Sequence, residues 1–275
     1  MTISETRADA VTAPDVATAK PRRPRRAMGF VPLRGLLPLV LLLVLWEVLE
    51  HGGHSVFFPP PSQWVSQTWQ LWHGGVLVRA ILATLETFIL SLVIATALGT
   101  AIGVLVGRIR LLDRLLGPIL EYLRFLPGVA LVPLIVLLAG YTESMKLYVV
   151  IFGAIWPVLL QVRVAARDID PIQLDVARML RLGWWASARK IFLPSVVPGV
   201  LLGVKITAPL TLVLVLVVEI STQVSGLGQV LETSQQNFQA AQVYGLVVIV
   251  GILAFAINLL VSLAENVLLR YRPKR

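Results

Sequence analysis

At 275 residues, 57% hydrophobic and only 14% charged, the chain falls well short of the roughly 25% charged residues of a soluble domain, so its main solvent is lipid. It has no cysteine, which excludes a disulfide framework and a thiolate metal centre. The net charge of +9 lies in short basic runs between apolar stretches, which is the pattern of a membrane face and excludes nucleic acid as a partner.

Residues 1–32 are polar and end in RRPRR (22–26). They are expected to form a disordered basic arm, having too few large apolar side chains to offset the entropy of ordering. The arm fits neither a twin-arginine signal nor a transit peptide, since Glu5, Asp9 and Asp15 interrupt it. The apolar core after it runs into Trp46, Glu47 and Glu50 rather than a small-residue cleavage site. From 33 to 275 the expectation is an all-α integral membrane domain with about six spans, at 33–50, 79–106, 115–138, 145–166, 195–220 and 242–268. Each is long enough for about 30 Å of hydrocarbon. Pro127 and Pro133 interrupt the third span, and Pro198 and Pro209 the fifth. Gly99, Gly103 and Gly107 let a second backbone approach the second span, by packing within one chain or by dimerisation.

Between the first two spans, HGGH (51–54) offers a weak metal motif beside the commoner reading of a solvated loop. FFPPPSQWVSQTWQLW (57–72) carries Trp64, Trp69 and Trp72. An interfacial helix suits it better than a docking surface. Lys and Arg alternate sides without exception. The arm, Arg108–Arg114, Arg163–Lys190 and the tail Arg270–Arg275 are rich in them, whereas the other links have only Arg79 and Lys146. Both termini are therefore expected in the cytoplasm, with the protein multi-pass in the cytoplasmic (inner) membrane.

Within the membrane, Glu86, Arg124 and Lys205 are estimated at about the same depth from 1.5 Å per residue. Glu86 is expected to pair with Arg124 or Lys205, as a structural ion pair rather than a substrate contact. Snorkelling of Lys205 is the alternative. Glu219 stands near the far end of the fifth span, before SGLGQ (225–229) with Gly226 and Gly228. It is read as an outer gate or receptor contact, against an ordinary polar connection.

The longest link between spans is RDIDPIQLDVARMLRLGWWASARKIFLPSVVP (167–198). Ile172, Val176, Met179 and Leu180 recur at helical spacing, Pro171 suits a helix start and Gly183 a helix end. Such an amphipathic helix needs a partner for its stripe or a headgroup layer to rest on. The segment resembles the signature loop of ABC-importer permeases, Glu-Ala-Ala, Gly, then Ile-x-Leu-Pro. Asp175, Val176 and Ala177 stand at its opening, and Ile191, Leu193 and Pro194 at its close. Arg181 occupies the glycine position with Gly183 two residues on, so the turn is expected to be displaced. The resemblance continues through 83–107, 123–140 and 218–234 and is to the nitrate/sulfonate/taurine branch. That branch usually has a basic residue where this chain has Glu86.

The resemblance implies a type I ABC-importer permease fold with a coupling loop at about 167–194. Asp175, Val176, Ala177, Arg178, Met179, Leu180, Arg181 and Gly183 would dock on ATP-binding cassette ATPase subunits. It also implies an extracytoplasmic solute-binding protein and a permease homodimer. No phosphate loop G-x-x-x-x-G-K-[ST] occurs in the chain, so ATP and Mg belong to the partner ATPase and no cofactor or catalytic residue is expected here. The alternative is a secondary transporter or channel driven by an ion gradient, which leaves the long amphipathic link unexplained. A membrane-embedded enzyme is weaker still, since no histidine lies inside a span.

Overall fold

A computed structural model describes residues 33–50 and 57–268. The basic arm, the HGGH motif and the C-terminal arginines lie outside the described residues. Every described element is helical: α1 (Leu33–Glu50), α2 (Pro61–His73), α3 (Val76–Arg108), α4 (Arg110–Leu123), α5 (Val132–Ala139), α6 (Glu143–Arg167), α7 (Pro171–Met179), α8 (Trp184–Ser187), α9 (Leu193–Thr222), α10 (Leu227–Gln236) and α11 (Ala240–Leu268). A 3₁₀ turn, Gly128–Leu131, leads into α5, and a π turn, Ala188–Phe192, joins α8 to α9. The π turn precedes Pro194, which has no N–H to offer the preceding helical turn.

The first compact unit ends at Leu45, and within it the described residues are the start of α1, with Leu37, Leu41 and Leu45 facing outward. In the second unit α6 is the central helix. Its Met145, Val149, Val150, Ala154, Val158, Val162 and Ala166 have no exposed surface. Glycines set the distance to its neighbours. A Cβ on Gly99 would lie 3.1 Å from the Ile155 carbonyl oxygen, and one on Gly103 2.7 Å from that of Leu159. A Cβ on Gly203 of α9 would lie 2.7 Å from Val158 Cα. In sequence order these pairings run parallel between α3 and α6 and antiparallel between α9 and α6. The glycine spacing of α3 thus packs against α6 of the same chain.

Among the described residues four helices are long and apolar enough to cross a membrane, α3, α6, the continuous run Trp184–Thr222 and α11, or five if the bent pair of α4 and Gly128–Ala139 is one span. The expected first span, α1, has the length of a crossing but carries Arg34, Glu47 and Glu50. The expected third span is not one straight helix. Its axis turns by 83° between α4 and the segment Gly128–Ala139. Pro127 and Pro133 permit the break. Asp113 meets Arg163 of α6 at 2.7 Å and Arg167 at 3.4 Å, anchoring one face of α4 to the end of α6. The basic residues cluster at that end of the bundle, the arginine-rich end. The tryptophans of α2 mark the other, where Trp64 stacks on Tyr244 with ring centroids 5.0 Å apart.

Candidate functional site

Two polar constructions occupy the two ends of the second unit. At the arginine-rich end, α7 and α8 form the long link. Asp170 caps α7, its carboxylate accepting from the Ile172 N–H at 2.9 Å, and Pro171 fills the first turn. The helix closes with a Schellman motif: the Leu182 N–H donates to the Ala177 carbonyl and the Arg181 N–H to the Arg178 carbonyl, both at 3.0 Å. The left-handed residue of this motif is Arg181, with φ 48°. The expectation that Gly183 ends the helix is therefore corrected. Gly183 has an ordinary extended backbone and is the N-cap of α8, with the Ser187 N–H donating to its carbonyl at 2.9 Å. The turn stays at the position of the signature glycine because the hydrogen bonds of the helix end fix it there, and Arg181 bears the steric cost.

Ala177 faces inward and is 6% exposed. Ile172, Val176, Met179 and Leu180 face outward, with Met179 83% exposed, and Asp175 pairs with Arg178 at 2.9 Å on the surface. Trp184 and Trp185 are also exposed, at 73% and 78%. The Ser195 hydroxyl donates to Gln173 Oε1 at 3.2 Å, tying α7 to the base of α9.

At the tryptophan end, Glu219 of α9 is completely buried. Its carboxylate accepts from the Thr84 hydroxyl of α3 at 2.9 Å, from the Gly228 N–H of α10 at 3.0 Å and from Lys146 Nζ of α6 at 3.4 Å. Lys146, equally buried, also donates to the Ser225 carbonyl at 2.8 Å and pairs with Glu143 at 2.7 Å. Thr84 Oγ1 in turn accepts from the Leu227 N–H at 2.8 Å. The free N–H groups at the start of α10 are thus satisfied by side chains from α3 and α9, with a carboxylate at the positive end of the helix. Glycines make room for it. Gly226 has φ 156°, and a Cβ there would collide with the Glu219 carboxylate, while one on Gly228 would lie 2.6 Å from the Leu216 carbonyl.

Being wholly buried, Glu219 cannot touch a receptor in this conformation. Its place is as a clasp joining three long helices to α10. In the sequence Lys146 counts only as a lone basic residue between two spans, and nothing singles out Thr84. The available signal was a lysine in the first turn of α6 with no further charge until Arg163.

The expected pairing of Glu86 is also corrected. Lys205 bonds Glu265 of α11 at 2.7 Å, and Arg124, the C-cap of α4 just before the 83° break, lies over the Phe125 ring at 4.8 Å. Equal depth had been inferred from a straight third span, which does not exist. Glu86 makes no ion pair among the described residues. It faces a cavity of about 400 Å³ together with Thr87, Glu143, Ser144 and Ser225. Among the described residues no group of three or more His, Cys, Asp or Glu is placed to hold a metal.

Residues 99–270 match the family model of the binding-protein-dependent transport system inner membrane component. A protein assigned as the aliphatic sulfonates transport permease SsuC of Bacillus subtilis is 27% identical, covering 87% of this chain and 88% of its own. The riboflavin transport system permease RibX of Chloroflexus aurantiacus is 28% identical over 87% of this chain and 91% of its own. The nitrate import permease NrtB of Synechocystis is 26% identical over 68% of this chain and 72% of its own. A crystal structure of an amino acid ABC transporter with histidines superposes with a TM-score of 0.59 at 16% identity, covering 72% of this chain and 97% of that one.

Proposed function

Because the chain belongs to the family of binding-protein-dependent transport system inner membrane components, we propose that it is a permease whose α7–α8 link is the joint on which a separate ATPase acts. As the permease subunit of an ABC importer it forms the membrane passage, while ATP and Mg reside on the ATPase. The observation that carries the joint is the exposed stripe of Ile172, Val176, Met179 and Leu180 on a well-capped helix hydrogen-bonded to the base of α9. A stripe so exposed in water calls for a protein groove.

In this reading the arginine-rich end is cytoplasmic, both termini lie on that side, and the tryptophan end meets an extracytoplasmic solute-binding protein. Two copies of the permease enclose the pathway, each contributing the cavity beside Glu86. Closure of the ATPases pushes α7. The push passes through Gln173 and Ser195 to α9, and α9 carries it to the Glu219 clasp at the far end. Opening the outer side then requires α3, α6, α9 and α10 to move as the clasp permits.

The test is co-purification of the full chain with its partner ATPase. Met179→Glu with Leu180→Glu removes the ATPase from the purified complex and abolishes ATP-driven uptake, while the permease still inserts and elutes as a folded species. Retention of the ATPase by this variant would refute α7 as the joint.

A further inference from the structure

Helices α10 and α11 form an antiparallel hairpin whose tip folding alone does not explain. Leu227 at the start of α10 packs with Leu246 of α11, and nearer the turn the Ser234 hydroxyl donates to Gln242 Oε1 at 3.2 Å. The tip, residues 235–239, is exposed throughout. It closes α10 with a Schellman motif: the Gln239 N–H donates to the Ser234 carbonyl at 2.9 Å and the Phe238 N–H to the Gln235 carbonyl at 3.0 Å. The left-handed residue of the motif, where glycine costs least, is Phe238, with φ 56°. Packing repays little of that cost, because Phe238 is 75% exposed. An aromatic side chain that strains its own turn and stands in the open points to recognition. The tip also lies outside the aromatic belt. Trp46, Trp64 and Tyr244 pack ring on ring, and such a cluster marks the headgroup level. Tyr244 is one helical turn inside α11, so the tip stands about 6 Å further out at 1.5 Å per residue. Beside Phe238, Phe57 is 65% exposed, and the two rings share the wall of a cavity of about 470 Å³ with Gln235, Gln236 and Gln239. The one charged residue in 221–241 is Glu232, whose carboxylate accepts from Gln236 Nε2 at 3.0 Å.

We propose that Phe238 is the anchor on which the solute-binding protein docks, its ring filling an apolar pocket of that protein and the amides around it supplying the hydrogen bonds. The proposal rests on the reading of the chain as a binding-protein-dependent permease and names the surface that the partner takes. Exposed rings set among adaptable, uncharged polar side chains are what protein partners bury at the centre of an interface. Place and chemistry choose the occupant. The family that the chain matches depends on a binding protein, and the tip stands at the end of the bundle opposite α7. A lipid phosphate would need a cation, and residues 221–241 contain no lysine or arginine. Glu219, expected as the receptor contact, is buried at the base of this hairpin, where it accepts from the Gly228 N–H. The exposed contact is Phe238, at the other end of α10.

The test uses the full transporter in proteoliposomes, with ATP-driven uptake measured against the concentration of solute-loaded binding protein. Phe238→Gly should raise the half-saturating concentration about tenfold or more while the maximal rate is kept. Phe238→Tyr should stay within about twofold, since it keeps the ring. Hydrogen exchange of the α10 amides should slow about fivefold or more in Phe238→Gly, because glycine relieves the left-handed turn. The glycine variant is thus better folded and worse docked, which a folding residue cannot produce. An unchanged half-saturation, a lower maximal rate alone, or faster exchange in α10 would overturn the proposal. The natural chain has no cysteine, so Phe238→Cys can be spin-labelled without background. In nanodiscs the label should be open to a water-soluble nickel chelate and become shielded when binding protein is added. Shielding before that addition would give the tip to lipid, and cross-linking of Phe238→Cys between two copies would give it to the permease itself. Either result overturns the anchor while leaving the importer reading intact. Uptake by the natural transporter that needs no binding protein would instead sink that reading, and the anchor with it.

Discussion

Glu219 and Lys146 are charged side chains with no water contact, and removing one while leaving the other is the costly change. A buried ion pair gains little over an apolar pair, but an orphaned partner costs about 3–5 kcal/mol. Lys146→Met should therefore lower the unfolding free energy in mixed micelles by at most about that much, because it strips buried Glu219 of its cationic partner. In Lys146→Met/Glu219→Gln the amide can still accept from Thr84 and Gly228, so most of the loss should be recovered. If the double variant is as unstable as the single one, the clasp is not an electrostatic unit. At Arg181 the cost is steric. A left-handed backbone costs a non-glycine residue about 1–2 kcal/mol, so Arg181→Gly should protect the backbone of α7 against hydrogen exchange by fivefold or more. No change, or faster exchange, would mean that the side chain of Arg181 repays its own strain.

The glycine ladder of α3 works at the level of whole helices. Each glycine on the α6 side lets two backbones meet, and a methyl group there must push them apart. Gly103→Ala should destabilise the folded protein by about 1–3 kcal/mol, since its Cβ would sit 2.7 Å from a carbonyl oxygen that cannot retreat without moving α6. Gly251→Ala on α11 is the control. Nothing lies within 4 Å of that position, and replacing a helical glycine there should gain about 0.8–1 kcal/mol. Melting the two variants side by side separates packing from helix propensity. Helix α4 shows the reverse case. Counting apolar residues merged it with α5 into one span, whereas Asp113 and Glu121 fasten it to Arg163 of α6 and the axis turns by 83° before α5.

At the scale of the molecule, the sequence by itself determined that the protein lives in lipid, where the long apolar helices run and where the coupling loop stands. Hydrophobic length and the placement of arginines are properties of consecutive residues, and in a bilayer they leave a helix few alternatives. The signature positions Asp175 to Pro194 were legible for the same reason, since they lie on one short stretch. Only the tertiary structure decided which charges meet. Thr84, Lys146, Glu219 and Gly228 come from four separate elements, and nothing in their spacing along the chain says that they share one buried point. The pairing expected among Glu86, Arg124 and Lys205 failed because depth along a straight helix was its only warrant. A bend of 83° removed Arg124, and Glu265, 60 residues from Lys205, took that lysine instead. Charges in a protein pair by distance in space, and that distance depends on packing angles and breaks that no single segment encodes.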